Sequence, residues 1–130
     1  MSKFKTNNHN LNLKSDLRER SFRFSLAVIR LESNLHNTRI YWTIIDQLIR
    51  AATSIGANII EAKSSSSRRD FIRYYEIALK SANETLYWLY LLEEGELVES
   101  KEIHPLISEA KEIANMLGSS LLTLKGKKKV

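Results

Sequence analysis

Apolar residues recur along most of this chain at alternating steps of three and four, the repeat that lines one face of an α-helix. Four segments carry it. The first is predicted from about Asp16 to Asn34, with Leu17, Phe24, Val28, Leu31 and Leu35 on one stripe and Phe22, Leu26 and Ile29 widening it. Asp16 and Glu19 form a capping pair at the positive end of the helix dipole, which places the start within a residue or two of Asp16. The second runs from about Arg39 to Ala62, where Tyr41, Ile45, Leu48, Ala52, Ile55 and Ile59 repeat and Ile44, Ile49, Gly56 and Ile60 lie alongside. The third runs from about Arg68 to Glu94, opened by Ser67 with Asp70 three residues on and closed by Gly95 as a left-handed terminator. Its main stripe is Phe71, Tyr75, Ala78, Ala82, Leu89 and Leu92, with Ile72, Leu79 and Leu86 as a second. The fourth is predicted to start near Pro105, a residue favoured in a first helical turn, and to reach about Leu124, with Gly126 ending it.

Short links between these segments predict an all-α, antiparallel up-down-up-down four-helix bundle over residues 15–124. A flexible polar arm, 1–14, precedes it and a basic tail, 125–130, follows. At 130 residues the chain is one domain. The middle helices carry apolar residues on more than one side, which is more than a single bundle needs. Homo-oligomerisation would bury the surplus, with Trp42, Tyr87, Trp88 and Tyr90 at the interface. Ala51, Ala52, Gly56 and Ala57 have little bulk, so Gly56 reads as a close helix contact that offsets about 1 kcal/mol of lost helix propensity. Asn58, Glu61, Ser81 and Glu84 are expected to form a polar layer with Arg50 that specifies packing or register.

Composition then narrows the classes. No Cys is present, which removes disulfides, zinc-thiolate sites and thiol nucleophiles and fits a reducing interior. The polar N-terminus lacks a signal-peptide core and charged residues interrupt every long apolar run, so a cytoplasmic protein without a membrane segment is expected. The net charge of +5 is unevenly spread: residues 1–80 hold 14 Lys or Arg against 7 Asp or Glu, and residues 81–124 hold 2 against 8. One surface can therefore attract a polyanion while another pairs with copies of the chain. No metal-ligand cluster, Glu-x-x-His pair or Gly-rich phosphate loop occurs, so no cofactor and no small-molecule substrate are expected.

The run RAATSIGANIIEA, followed by a short polar turn and RRDFIRYYEIALKSANETLYWLYLL, resembles the bacterial four-helix-bundle proteins encoded in intervening sequences of 23S ribosomal RNA genes. The cues are Gln47, Leu48, Arg50, Ala51, Ala52, Ser54, Ile55, Ala57, Asn58, Ile59 and Glu61, then Phe71, Tyr75, Ala78, Ser81, Glu84 and Leu89. Coverage extends over about residues 16–124, and the chain departs from the pattern at Gly56, where Pro is frequent, and Ala62, where Gly is frequent. Related proteins include the accessory variability determinant of diversity-generating retroelements. The resemblance implies a homopentameric ring, with RNA, ribosomal RNA above all, or a nucleic-acid-binding protein as partner.

For such a role the basic candidates are Arg68, Arg69 and Arg73 at the start of the third helix, where free backbone N–H groups also favour anions, with Lys80 continuing their side. Arg18, Arg20 and Arg23 on the first helix and Lys125, Lys127, Lys128 and Lys129 in the tail are the others. Their contacts would be to phosphates and salt-sensitive. Two further readings stand beside this one. A protein-interaction scaffold needs no nucleic acid. A helical RNase of the HEPN type would use Arg30 and His36, whose spacing matches that motif although Leu31 follows the arginine; His9 and His104 offer no comparable pattern. The expectation is a protein that is not an enzyme.

Overall fold

The computed structural model describes residues 13–32 and 39–126. Within them lie four helices and no strand: α1 (Leu13–Glu32), α2 (Arg39–Ser64), α3 (Arg68–Glu94) and α4 (Ser100–Leu124). The arm over residues 1–12, the end of the first predicted helix at Asn34, Leu35, His9, His36 and Lys127 to Lys129 lie outside the described residues.

Each helix stands where the apolar repeat places it, and α3 has the predicted bounds. Three boundary expectations are corrected. α1 begins at Leu13, so Asp16 sits inside its first turn and is not its cap. Leu13 is one helical step of four before Leu17, and extending the apolar stripe outweighs the carboxylate signal. Glu19 instead meets Arg23, with Oε2 2.8 Å from Nε and 2.6 Å from Nη2.

α4 begins at Ser100, five residues before Pro105. Ile103 is fully buried, and seating it on the core draws the preceding residues into the helix. Pro105 then lies in the second turn, where it cannot donate to the carbonyl of Lys101.

Gly95 is not the left-handed residue at the end of α3: it has φ −80° and ψ −1°, and Glu96 takes φ 57°. The N–H of Leu97 donates to the carbonyl of Leu92 at 2.9 Å and that of Glu96 to Glu93 at 3.0 Å, the paired bonds of a Schellman turn one residue further on. Gly95 is required by space, because a Cβ there would sit 2.8 Å from the Leu91 carbonyl oxygen.

At the start of α3 the cap is as read, for Ser67 is extended and its Oγ accepts from the N–H of Asp70 at 3.0 Å. α2 runs two residues past Ala62, and Ser65 closes it by donating to the Ala62 carbonyl from both N–H (3.1 Å) and Oγ (2.6 Å).

The helices pack in a closed ring, α1 on α2, α2 on α3, α3 on α4 and α4 on α1, with the α2/α3 seam the most extensive. Leu17, Phe24 and Val28, then Ile45, Leu48, Ile55 and Ile59, then Tyr75, Leu89 and Leu92, then Ile103, Ile113 and Leu117 meet in one core. Each large side chain buried there contributes about 1.5–3 kcal/mol. Ala52, Ala78 and Ala82 are fully buried and let α2 and α3 approach closely. The second stripes are partly absorbed: Ile44, Ile49, Ile72, Leu79, Leu86 and Trp88 are half-buried against the protomer's own core.

The expected polar layer is smaller than predicted. Ser54 Oγ and Ser81 Oγ lie 2.8 Å apart across α2/α3, and Asn58 Nδ2 donates to Ser54 Oγ at 3.1 Å and to its carbonyl at 2.8 Å. Thr85 adds a bond to the Ser81 carbonyl at 2.8 Å. Arg50, Glu61 and Glu84 are exposed, as burying their charges without ion-pair partners would cost several kcal/mol. Gly56 faces Ser21 of α1 as a contact point, yet a Cβ would find ordinary packing 3.5 Å from Ser21 Cβ, so an alanine fits.

Candidate nucleic-acid interface

The turn at residues 65–67 aims the first N–H groups of α3 outward, and the next two turns carry the arginines. Arg68, Arg69, Ile72, Arg73 and Glu76 line one shallow depression of about 580 Å3 on the surface. Arg69 and Arg73 are four residues apart and so share a face, which Lys80 extends about 10 Å along the axis. All three are exposed.

Not every cation at this end is available. Arg68 donates from Nη2 to the carbonyl of Leu124, placing a positive group on the C-terminus of α4 where the helix dipole favours it. Lys125 Nζ is 2.6 Å from Glu76 Oε2, a second tie between α4 and α3. Arg73 lies 4.7 Å above the Tyr74 ring and 3.9 Å from Asp70 Oδ1, which holds its guanidinium loosely over the surface. Arg69 has no ion-pair partner among the described residues. The depression thus combines two anchored cations with two directed outward.

The α1 arginines do not join them. Arg20 reaches across to α4, with Nε 2.7 Å from Glu109 Oε2, Nη2 2.7 Å from Oε1, and Nη1 3.4 Å from Met116 Sδ. Arg23 pairs with Glu19 on its own helix, and Arg18 lines the seam between α1 and α2. The bidentate Arg20–Glu109 pair spans 89 residues, a distance over which local spacing carries no signal. Arg30 is exposed near the end of α1.

The aromatic candidates fall on two faces. Trp42 is 36% exposed on α2, edge-on to Tyr41 at 5.2 Å. Tyr87 and Tyr90, 58% and 39% exposed, lie on α3, with Lys111 of α4 at 6.0 Å from the Tyr90 ring centre. Trp88 is half-buried and donates to Glu84 Oε2 at 3.1 Å. What sequence reasoning missed is an apolar groove of about 270 Å3 between α1 and α2, lined in part by Phe22, Leu26, Ile29, Ala57 and Ile60. Those residues read as stripe-wideners, and only the crossing of the two helices shows that they share a concavity.

Among the described residues no group of three His, Cys, Asp or Glu side chains is placed to hold a metal ion. No described helix is long and apolar enough to cross a membrane.

Comparison with known proteins bears on this geometry. A crystal structure of a protein of unknown function from the S23 ribosomal protein family of Bacteroides thetaiotaomicron is similar, with TM-score 0.75 and 37% sequence identity over 81% of this chain and 97% of that one. No curated protein matches the chain. The family model described as 23S rRNA-intervening sequence protein matches residues 14–119, which takes in all but the first residue of α1 and most of α4. On that match, and on the four helices that bear it out, the chain belongs to the 23S rRNA-intervening sequence protein family.

Proposed function

We propose that this protein is a non-catalytic, cytoplasmic homo-oligomer that binds RNA, ribosomal RNA included, by phosphate contacts from its basic surface. The observation that carries this reading is the depression at the start of α3, where Arg69 and Arg73 are exposed on one helical face beside outward-facing backbone N–H groups. The family's name ties its members to 23S rRNA, and the proposal extends that tie from gene to ligand. The subunit is an antiparallel up-down-up-down bundle on this reading, supported by pairs that step in opposite senses. Ser25 contacts Ala52 where Ser21 faces Gly56, and Glu93 meets His104 while Arg68 meets Leu124. A ring of five copies is the assembly that the family resemblance implies.

Fluorescence anisotropy with a labelled structured RNA at two salt concentrations tests the proposal. Binding at low salt is expected, and Arg69→Ala with Arg73→Ala is expected to reduce the slope of log K against log salt by about 1.5–2. Absence of binding at low salt rejects it.

A protein-interaction scaffold is the second reading, favoured by the exposed Trp42, Tyr87 and Tyr90, which offer apolar contact area away from the arginines. Intact self-association without RNA binding would select it. RNA cleavage that His36→Ala abolishes would instead reinstate the RNase reading.

A further inference from the structure

We propose that copies of this chain join head to tail, the α1/α2 groove of one receiving the Tyr87 and Tyr90 face of the next. The inference rests on the self-association in the proposed function and names the two surfaces that make it.

The ring of helix contacts puts the α1/α2 groove and the α3/α4 face on opposite sides of the bundle. The groove is concave and apolar, with Ile29 44% and Ile60 37% exposed at its lips. The opposite face is convex at Tyr87 and Tyr90, which stand outward on neighbouring turns of α3. Neither surface is covered within the subunit, and the two have complementary shapes.

Charge selects which surfaces meet. Residues 13–64, which span both groove helices, hold eight Lys or Arg against five Asp or Glu. Residues 81–124, which hold the aromatic pair and all of α4, have two Lys or Arg against eight Asp or Glu. Groove against groove would oppose two positive surfaces, and tyrosine face against tyrosine face two strongly negative ones. Groove against tyrosine face brings unlike charges together, so electrostatics favours the heterologous contact over either symmetric one. A second copy of the chain supplies the acidic aromatic surface that a basic apolar groove fits.

Complementation by mixing tests this. Ile60→Glu places a carboxylate at the groove lip, facing the acidic surface, and Tyr87→Arg removes the aromatic and places a cation against the basic groove. Both positions are exposed, so the fold should persist, with helical circular dichroism as the check. Should either variant unfold, Ile29→Glu and Tyr90→Arg replace them. Sedimentation velocity is expected to show the wild type above the 15.0 kDa protomer mass and each variant at it. An equimolar mixture of the two variants should sediment at twice that mass and no higher, since one groove and one tyrosine face remain intact between them. An assembling wild type whose mixed variants stay at protomer mass overturns the head-to-tail pairing, as does either variant assembling alone. A wild type at protomer mass overturns the self-association reading beneath it.

Discussion

Glu96 holds a backbone conformation that costs an L-residue about 1–2 kcal/mol, at the turn that joins α3 to α4. Glu96→Gly is therefore expected to stabilise the fold by about 0.5–1 kcal/mol, the relief of strain exceeding the added chain entropy, as a shift in the midpoint of urea unfolding. The sequence placed a glycine in this turn without showing that its task is to leave room for the Leu91 carbonyl. Such an assignment depends on one carbonyl direction, which residue type alone does not encode. Tyr75 offers a second test at this scale. Burial pushes its hydroxyl above the ordinary value of 10.0, so the folded state resists ionisation more than the unfolded chain. The associated stability is intact below pH 10 and is lost as pH rises from there through the raised folded value. Tyr75→Phe should flatten that alkaline loss in unfolding curves taken from pH 8 to 11, leaving only what the other groups contribute.

Helix positions were legible because burial follows a periodic rule, and α3 kept both predicted ends because Ser67 supplies a real cap. The start of α4 was misread for the converse reason. A proline favoured in a first turn was weighed above Ile103, whose full burial carries the helix back to Ser100. Pro105 thus leaves a gap in the hydrogen-bond ladder on an exposed second turn. Pro105→Ala should restore the bond to the Lys101 carbonyl and raise stability by about 1–3 kcal/mol, read by thermal unfolding. The gain would be smaller than for a central proline because the freed carbonyl already meets water. The α1/α4 seam depends on a different kind of contact. Arg20 and Glu109 are each about one-third exposed or less and meet through two 2.7 Å bonds. A double-mutant cycle with Arg20→Met and Glu109→Gln is expected to give a coupling of about 1–2 kcal/mol, above the usual surface pair because the geometry is bidentate.

Across the whole molecule, the basic candidates of the sequence were right as to charge and incomplete as to company. Arg69 and Arg73 share an open surface, while Arg20 and Arg68 are engaged with α4, a division that only the packing of distant helices decides. That packing poses a problem of alignment. Apolar stripes look nearly the same after one helix slides along another by a full turn, so grease alone leaves α2 and α3 several comparable ways to mate. The short Ser54–Ser81 bond does not survive such a slide, and a buried hydroxyl stranded against aliphatic side chains costs about 1–3 kcal/mol. Ser54→Ala with Ser81→Ala together should therefore change stability little while doubling or broadening amide resonances along both helices. A single sharp set of peaks in that variant would show that the alignment is kept by shape instead. Two hydroxyls act here as a detent, and the arginine surface on the next turns of α3 keeps a fixed position on the bundle because they engage at one setting.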